Sequence, residues 1–179
     1  MIRHLVAWTS DKNLSGFYNR ELEALPSDDD WCLFQDRDVW WPNPHFFKDI
    51  ERVVQKQGDK FDLFTCMTNK VGTMYQVNRR MYKVDNIEDH VQCALNMSRA
   101  HGASVEDITN RPPISGMVIL AKKSLITQGR KLKDGLLLGA DNELHYIAKE
   151  SNKRVGLMKG VYVWHYYRGN DINNKSHLL

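Results

Sequence analysis

A chain of 179 residues suffices for one domain that buries roughly two-thirds of the surface its unfolded form exposes, and no apolar run nears the ~20 residues of a membrane span. With 42% hydrophobic and 26% charged residues, the composition is that of an ordinary globular protein. A formal net charge of +3, with Lys and Arg scattered, argues against a broad nucleic-acid footprint and leaves room for a local cluster that holds phosphates.

The chain opens on MIRHLVAWTSD, which lacks a long apolar region and a small-residue cleavage site and reads as a strand rather than a signal peptide. Cys32, Cys66 and Cys93 lie in apolar or helical contexts without CxxC spacing, so they are expected to be reduced packing residues in a reducing compartment, the cytoplasm. The first strand is expected over 4–8, followed by a polar turn. After Ser15, the residues Phe17, Leu22 and Leu25 recur at near-helical spacing until Pro26 stops them. Residues 31–35 form the second expected strand, which runs into Asp36-Arg37-Asp38 before Pro42 and Pro44 mark a loop. Phe46, Phe47, Ile50, Val53 and Val54 make one face of a helix closing near Gly58, and 62–67 is the third strand. The order βαβαβ points to a layered α/β fold.

Residues 68–82 are polar and arginine-rich and read as a loop that reaches the ligand. Helical periodicity returns over 86–101. SGMVILAK is strongly β-prone, 142–152 reads as a helix, and 155–167 as one or two strands ending in VYVWHYYR. The polar tail beyond Gly169 is expected to fray. No internal repeat or domain boundary is visible, so a single domain over 1–179 is expected.

Four features could carry chemistry. Asp36 and Asp38 are two apart, so both can face one ligand at a strand's end, and paired carboxylates there suit a hard divalent cation that takes phosphate oxygens as its remaining ligands. An acidic turn without a ligand is the alternative. Asp141 follows Gly139 and Ala140 at a helix start, either as an N-cap or as an exposed acid. His165 lies among Trp164, Tyr166 and Tyr167 and, taken by itself, reads first as a packed strand histidine with its ring hydrogen-bonded. Arg168 is a surface charge or a phosphate partner.

In chain order, a strand ending in DxD, the strand SGMVILAKKS, the helix start GADNEL and the closing YVWHYYR resemble the family 2 glycosyltransferases of the GT-A fold over about residues 31–168. That resemblance implies a three-layer α/β/α sandwich with a mixed, mostly parallel central sheet. It also implies inverting transfer of a sugar from a nucleotide-diphosphate donor, such as a UDP-sugar, to a glycan or other acceptor hydroxyl, with Mn²⁺ or Mg²⁺ bridging the phosphates. Carried over, Asp38 and His165 become metal ligands, Asp36 a ribose or metal contact, Asp141 the acid that deprotonates the acceptor, and Arg168 a diphosphate contact. Trp8 to Asp11 would meet the base, and Trp40 and Trp41 would offer faces to sugar rings or pack in the core.

The chain departs from the family in a short segment before the DxD, in Ala140 where two acidic residues are common, and in an acceptor loop, TQGRKLKDG, with extra basic residues. Three other readings stand beside the transferase. A sugar-nucleotide nucleotidyltransferase would carry a glycine-rich loop that LVAWTSDKNLSG lacks. A non-catalytic sugar- or nucleotide-binding module of the same fold would bind without turnover. A nucleic-acid-binding domain rests only on Arg79, Arg80 and Lys83.

Overall fold

The computed structural model describes residues 1–166. Arg168 and the polar tail lie outside the described residues. Twelve helices and strands are assigned in that span, besides two short 3₁₀ turns. They are β1 (Ile2–Val6), α1 (Leu14–Glu23), β2 (Trp31–Gln35), β3 (Val39–Trp40), α2 (Phe46–Gln57), β4 (Leu63–Thr68), α3 (Ile87–His101), β5 (Val105–Asp107), β6 (Val118–Lys122), α4 (Ser124–Thr127), α5 (Ala140–Glu150) and β7 (Val155–His165). The 3₁₀ turns, Met74–Gln76 and Arg79–Met81, fall in the segment read as loop.

The architecture is α/β: helices on a mixed, open seven-stranded sheet in the order β1-β2-β6-β4-β7-β3, with β5 also pairing β7. β1 pairs β2 in parallel and β4 pairs β7 in parallel, whereas β6 sits antiparallel between β2 and β4. The long strands β1, β2, β4 and β7 therefore all point one way. β2 and β4 are buried throughout, and β6 all but its last residue, which explains why these segments are apolar runs rather than alternating ones. Neighbouring residues face opposite sides. Cys32 and Phe34 join one apolar cluster with Leu22 of α1 and Leu144 of α5, while Trp31 and Leu33 join another with Ile50 and Val53 of α2. No helix among the described residues is long and apolar enough to cross a membrane.

Local sequence fixes the helix ends. Asn13 and Asn86 cap α1 and α3 by accepting from the backbone N–H of Gly16 and Glu88, each at 2.8 Å. α3 carries Glu88 and Asp89 in its first turn and Arg99 and His101 in its last, matching its dipole. The first strand lies two residues earlier than its sequence suggests, so Trp8 stands beyond it, 59% exposed. The three cysteines are free, and burial pushes the Cys32 thiol up to about 12.

β7 is one strand with a break in register: Cys66 faces Met158 while its neighbour Met67 faces Tyr162. The extra residues of this bulge bend β7. β5 pairs its first half and β3 its last residues, Val39 opposite His165. Within the bulge, a Cβ built on Gly160 would lie 2.1 Å from the Gly102 carbonyl oxygen, so two backbones touch where only glycine fits.

Replacing Gly160 by Ala is expected to cost about 2 kcal/mol or more in urea unfolding, because backbone must move to admit the methyl group. Gly72→Ala, whose Cβ would meet nothing within 4 Å, is the control and should stay within about 0.5 kcal/mol of wild type. Equal midpoints for the two variants would refute this reading of the bulge.

Candidate functional site

The apolar strand β2 ends at Gln35, and the chain turns at once. Val39 N–H donates to the Asp36 carbonyl at 3.2 Å, closing a four-residue turn with the exposed Arg37 at its tip. Gln35 braces the turn: its Nε2 donates to the Val39 carbonyl at 2.8 Å, and its Oε1 accepts from Trp41 Nε1 at 2.6 Å. The Asp36 amide itself donates to the Met117 carbonyl at 3.0 Å, tying the turn to the start of β6. The DRD triplet is thus a turn between β2 and β3 rather than a continuing strand.

β3 then runs along the end of β7, with Tyr166 N–H donating to the Asp38 carbonyl at 2.9 Å. That pairing brings the two ends of the chain together. One ligand atom each from Asp36, Asp38 and His165 lie within 4.8 Å of one another, and Asp38 Oδ1 is 3.3 Å from His165 Nε2.

The imidazole is held from behind. Its Nδ1 lies 3.0 Å from the Lys70 carbonyl, which can only accept, so Nδ1 carries a proton. Its backbone N–H donates to Asn69 Oδ1 at 2.8 Å. In a neutral imidazole Nε2 then presents a lone pair to the Asp38 carboxylate. Two acceptors at 3.3 Å repel unless a proton or a cation lies between them. A carbonyl-oriented imidazole beside carboxylates is also the usual second layer of a metal ligand. The donor set, two carboxylates and one imidazole within reach of one ion, is one that can hold a divalent metal ion.

Asp141 belongs to the same neighbourhood. α5 starts earlier than its sequence periodicity indicates, at Ala140 after Gly139 in the left-handed region at φ +81°, so Asp141 sits in the first turn rather than capping the helix. Its Oδ1 accepts from the Asn142 amide at 2.9 Å, and the Gly116 backbone lies close against it. A Cβ on Gly116 would come within 2.8 Å of Asp141 Cβ, so glycine is required there. Gly116 is placed by Gln76, a wholly buried side chain whose Oε1 accepts from Ser115 N–H at 2.7 Å and whose Nε2 donates to Thr65 Oγ1 at 2.8 Å.

Burial raises the Asp141 carboxyl above its ordinary value. Burial also pushes Asp36 up to about 6, helped by the charges of Asp38 and Asp141 and opposed by His165. The buried Tyr18 hydroxyl, raised chiefly by burial, feels both Asp36 and Asp141.

The remaining expected residues divide. Trp8 and Asp11 line a cleft of about 440 Å³ at the exit of β1, with Asn13, Phe17 and Arg20. That exit runs beside the DRD turn, since Ala7 N–H donates to the Gln35 carbonyl at 2.7 Å. Hydrogen bonds from Thr9 and the Asn13 amide hold the Asp11 carboxyl below its usual range. Trp41 stacks on Phe46 at 4.2 Å and packs against the core. Trp40 stays 42% exposed, edge-on to Trp164. Asn69, the Lys70 carbonyl, Gln76 and Gly116 were not singled out by the sequence, although the loop that contains the first three was expected to approach a ligand.

Compared with known proteins, the chain matches no family model, no curated protein and no solved structure.

The raised Asp36 carboxyl has a consequence for stability. Between about pH 4 and 6 the folded chain holds a proton that the unfolded chain has lost, so this group's contribution to stability falls as pH rises through that window. In EDTA, Asp36→Asn should therefore be more stable than wild type at pH 7.5, by about 1–2 kcal/mol after allowing for its partial exposure, and near-equal at pH 4. Denaturant unfolding at both pH values checks this, and a variant less stable at pH 7.5 would contradict it.

Proposed function

We propose that this chain is a metal-dependent, inverting glycosyltransferase that moves a sugar from a nucleotide-diphosphate donor to an acceptor hydroxyl. One observation carries the reading. Asp36 and Asp38 from one end of the chain and His165 from the other bring ligand atoms within 4.8 Å, with Asp141 close enough for its charge to act on Asp36. The cluster lies where β2 and β7 end, and ligands of open α/β sheets bind beyond the carboxyl ends of such strands. The order DxD, GADNEL and YVWHYYR along the chain gives the same assignment of roles.

In this reading Asp38 Oδ1, His165 Nε2 and an Asp36 oxygen hold Mn²⁺ or Mg²⁺. Bound there, the ion would offset charge on a leaving diphosphate. The Lys70 carbonyl keeps the Nε2 lone pair directed at the site. Asp141 takes the acceptor hydroxyl's proton as that oxygen attacks the anomeric carbon from the face opposite the diphosphate. The bond from that carbon to the diphosphate oxygen breaks, the electron pair leaves with the diphosphate, and configuration inverts. Burial suits Asp141 to this task because a raised carboxyl is the stronger base, and the hydrogen bond it accepts from the Asn142 amide helps fix its direction. The cleft beside Trp8 and Asp11 adjoins the turn and has room for part of a nucleoside.

Calorimetric titration of UDP and GDP with and without Mn²⁺ tests the proposal. Binding of at least one nucleotide should require the metal and vanish in Asp38→Ala and His165→Ala. Asp141→Asn should bind the nucleotide as wild type does yet lose donor turnover by about 10²-fold or more. Metal-independent binding that both alanine variants retain would rule the site out. Metal-dependent binding without any donor hydrolysis would favour the non-catalytic module.

A further inference from the structure

A second charged cleft lies outside the site described above. It is a cavity of about 410 Å³ between α2 and α3, into which Lys48 and Arg52 project from α2 and Arg99 from α3, with His45 at its rim. The one carboxylate in its wall, Asp49, is only 7% exposed and is committed to the protein. Its Oδ2 accepts from Asn43 Nδ2 at 2.8 Å and from Ser98 Oγ at 2.7 Å, and its Oδ1 accepts from Arg52 Nη1 at 3.2 Å.

Asp49 therefore neutralises Arg52 and fixes its guanidinium, while most of that group's N–H donors stay available. Among the described residues neither Lys48 nor Arg99 pairs with a carboxylate.

Lys48 and Arg52 are four apart on one helix face, where like charges destabilise rather than support the helix. Arg99 adds a third cation from the facing helix. Concentrating three cations in a cleft with one carboxylate, Asp49, among them is unfavourable by itself and becomes favourable when an anion enters. Donors converging from two helices suit a tetrahedral dianion, which accepts hydrogen bonds from several directions at once, and arginine's fork matches phosphate oxygens. The volume is that of a small-molecule site.

We propose that this cleft is a second ligand site, which takes the phosphate group of a small phosphorylated molecule. It stands independently of the metal cluster and of the transferase reading.

The test follows amide ¹H–¹⁵N shifts as inorganic phosphate is added in EDTA at constant ionic strength. Saturable shifts are expected around His45–Asp49 and Ser98–Arg99. Lys48→Ala/Arg99→Ala should weaken the fitted affinity by about tenfold or more. Both side chains are exposed, so the fold should survive their loss. Arg52 is left in place, because removing it would strand the buried Asp49. Asp38→Ala should bind phosphate as wild type does, which separates this cleft from the metal cluster. Shifts that fail to saturate, that centre on residues 36–38 and 165, or that persist unweakened in the double variant would overturn the proposal.

Discussion

The arrangement at one edge of this sheet depends on one contact between the two ends of the chain, His165 against Asp38. The Lys70 carbonyl accepts a hydrogen bond from His165 Nδ1–H, which directs the other ring nitrogen at the Asp38 carboxylate 3.3 Å away. Asp36 stands beside them, its carboxyl raised to about 6 by burial. Three groups that would each prefer water are instead gathered by a closed turn, a two-residue strand and the end of β7. A proton or a cation placed among them would offset the cost of gathering them.

The supports extend well behind the three side chains. The bulge in β7, made possible by Gly160 against Gly102, re-registers its second half on β4 and so sets where His165 emerges. The chain from Thr65 through Gln76 to Ser115 does the same for Gly116, and Gly116 leaves the room that Asp141 occupies. Buried hydrogen bonds place side chains such as these more precisely than exposed loops do.

Much of this was legible in the sequence, and the reasons differ by element. β2, β4 and β6 are short apolar runs bounded by turn residues because they are buried on both faces, α2 carries a clean apolar stripe, and both α2 and α3 end at glycine, although α3 buries His90 and Ala94 while its Ile87 stays exposed. β3 and β5 were invisible: two or three residues become strands only because β7 is there to pair with. The position of β6 between β2 and β4 likewise comes from tertiary pairing, not from any local signal.

Asp36, Asp38 and His165 stood out as polar residues at the ends of apolar or aromatic strands, which burial alone does not explain. Asn69 and Lys70 did not, because Lys70 acts through its carbonyl and Asn69 looks like any loop amide. Gly116 acts through what it lacks. Trp41, an equally good sugar platform or core residue in the sequence, stacks on Phe46, packs against the core and donates its indole N–H to Gln35 Oε1.

The central claim is that a cation belongs between Asp38 and His165. Anomalous scattering from a crystal soaked in Mn²⁺, recorded above the manganese absorption edge, tests it most directly. The account predicts one strong peak at roughly 2.0–2.3 Å from Asp38 Oδ1 and His165 Nε2, with an Asp36 oxygen in its shell. A map with no peak there, in which Asp38 and the histidine keep their direct contact, would contradict it.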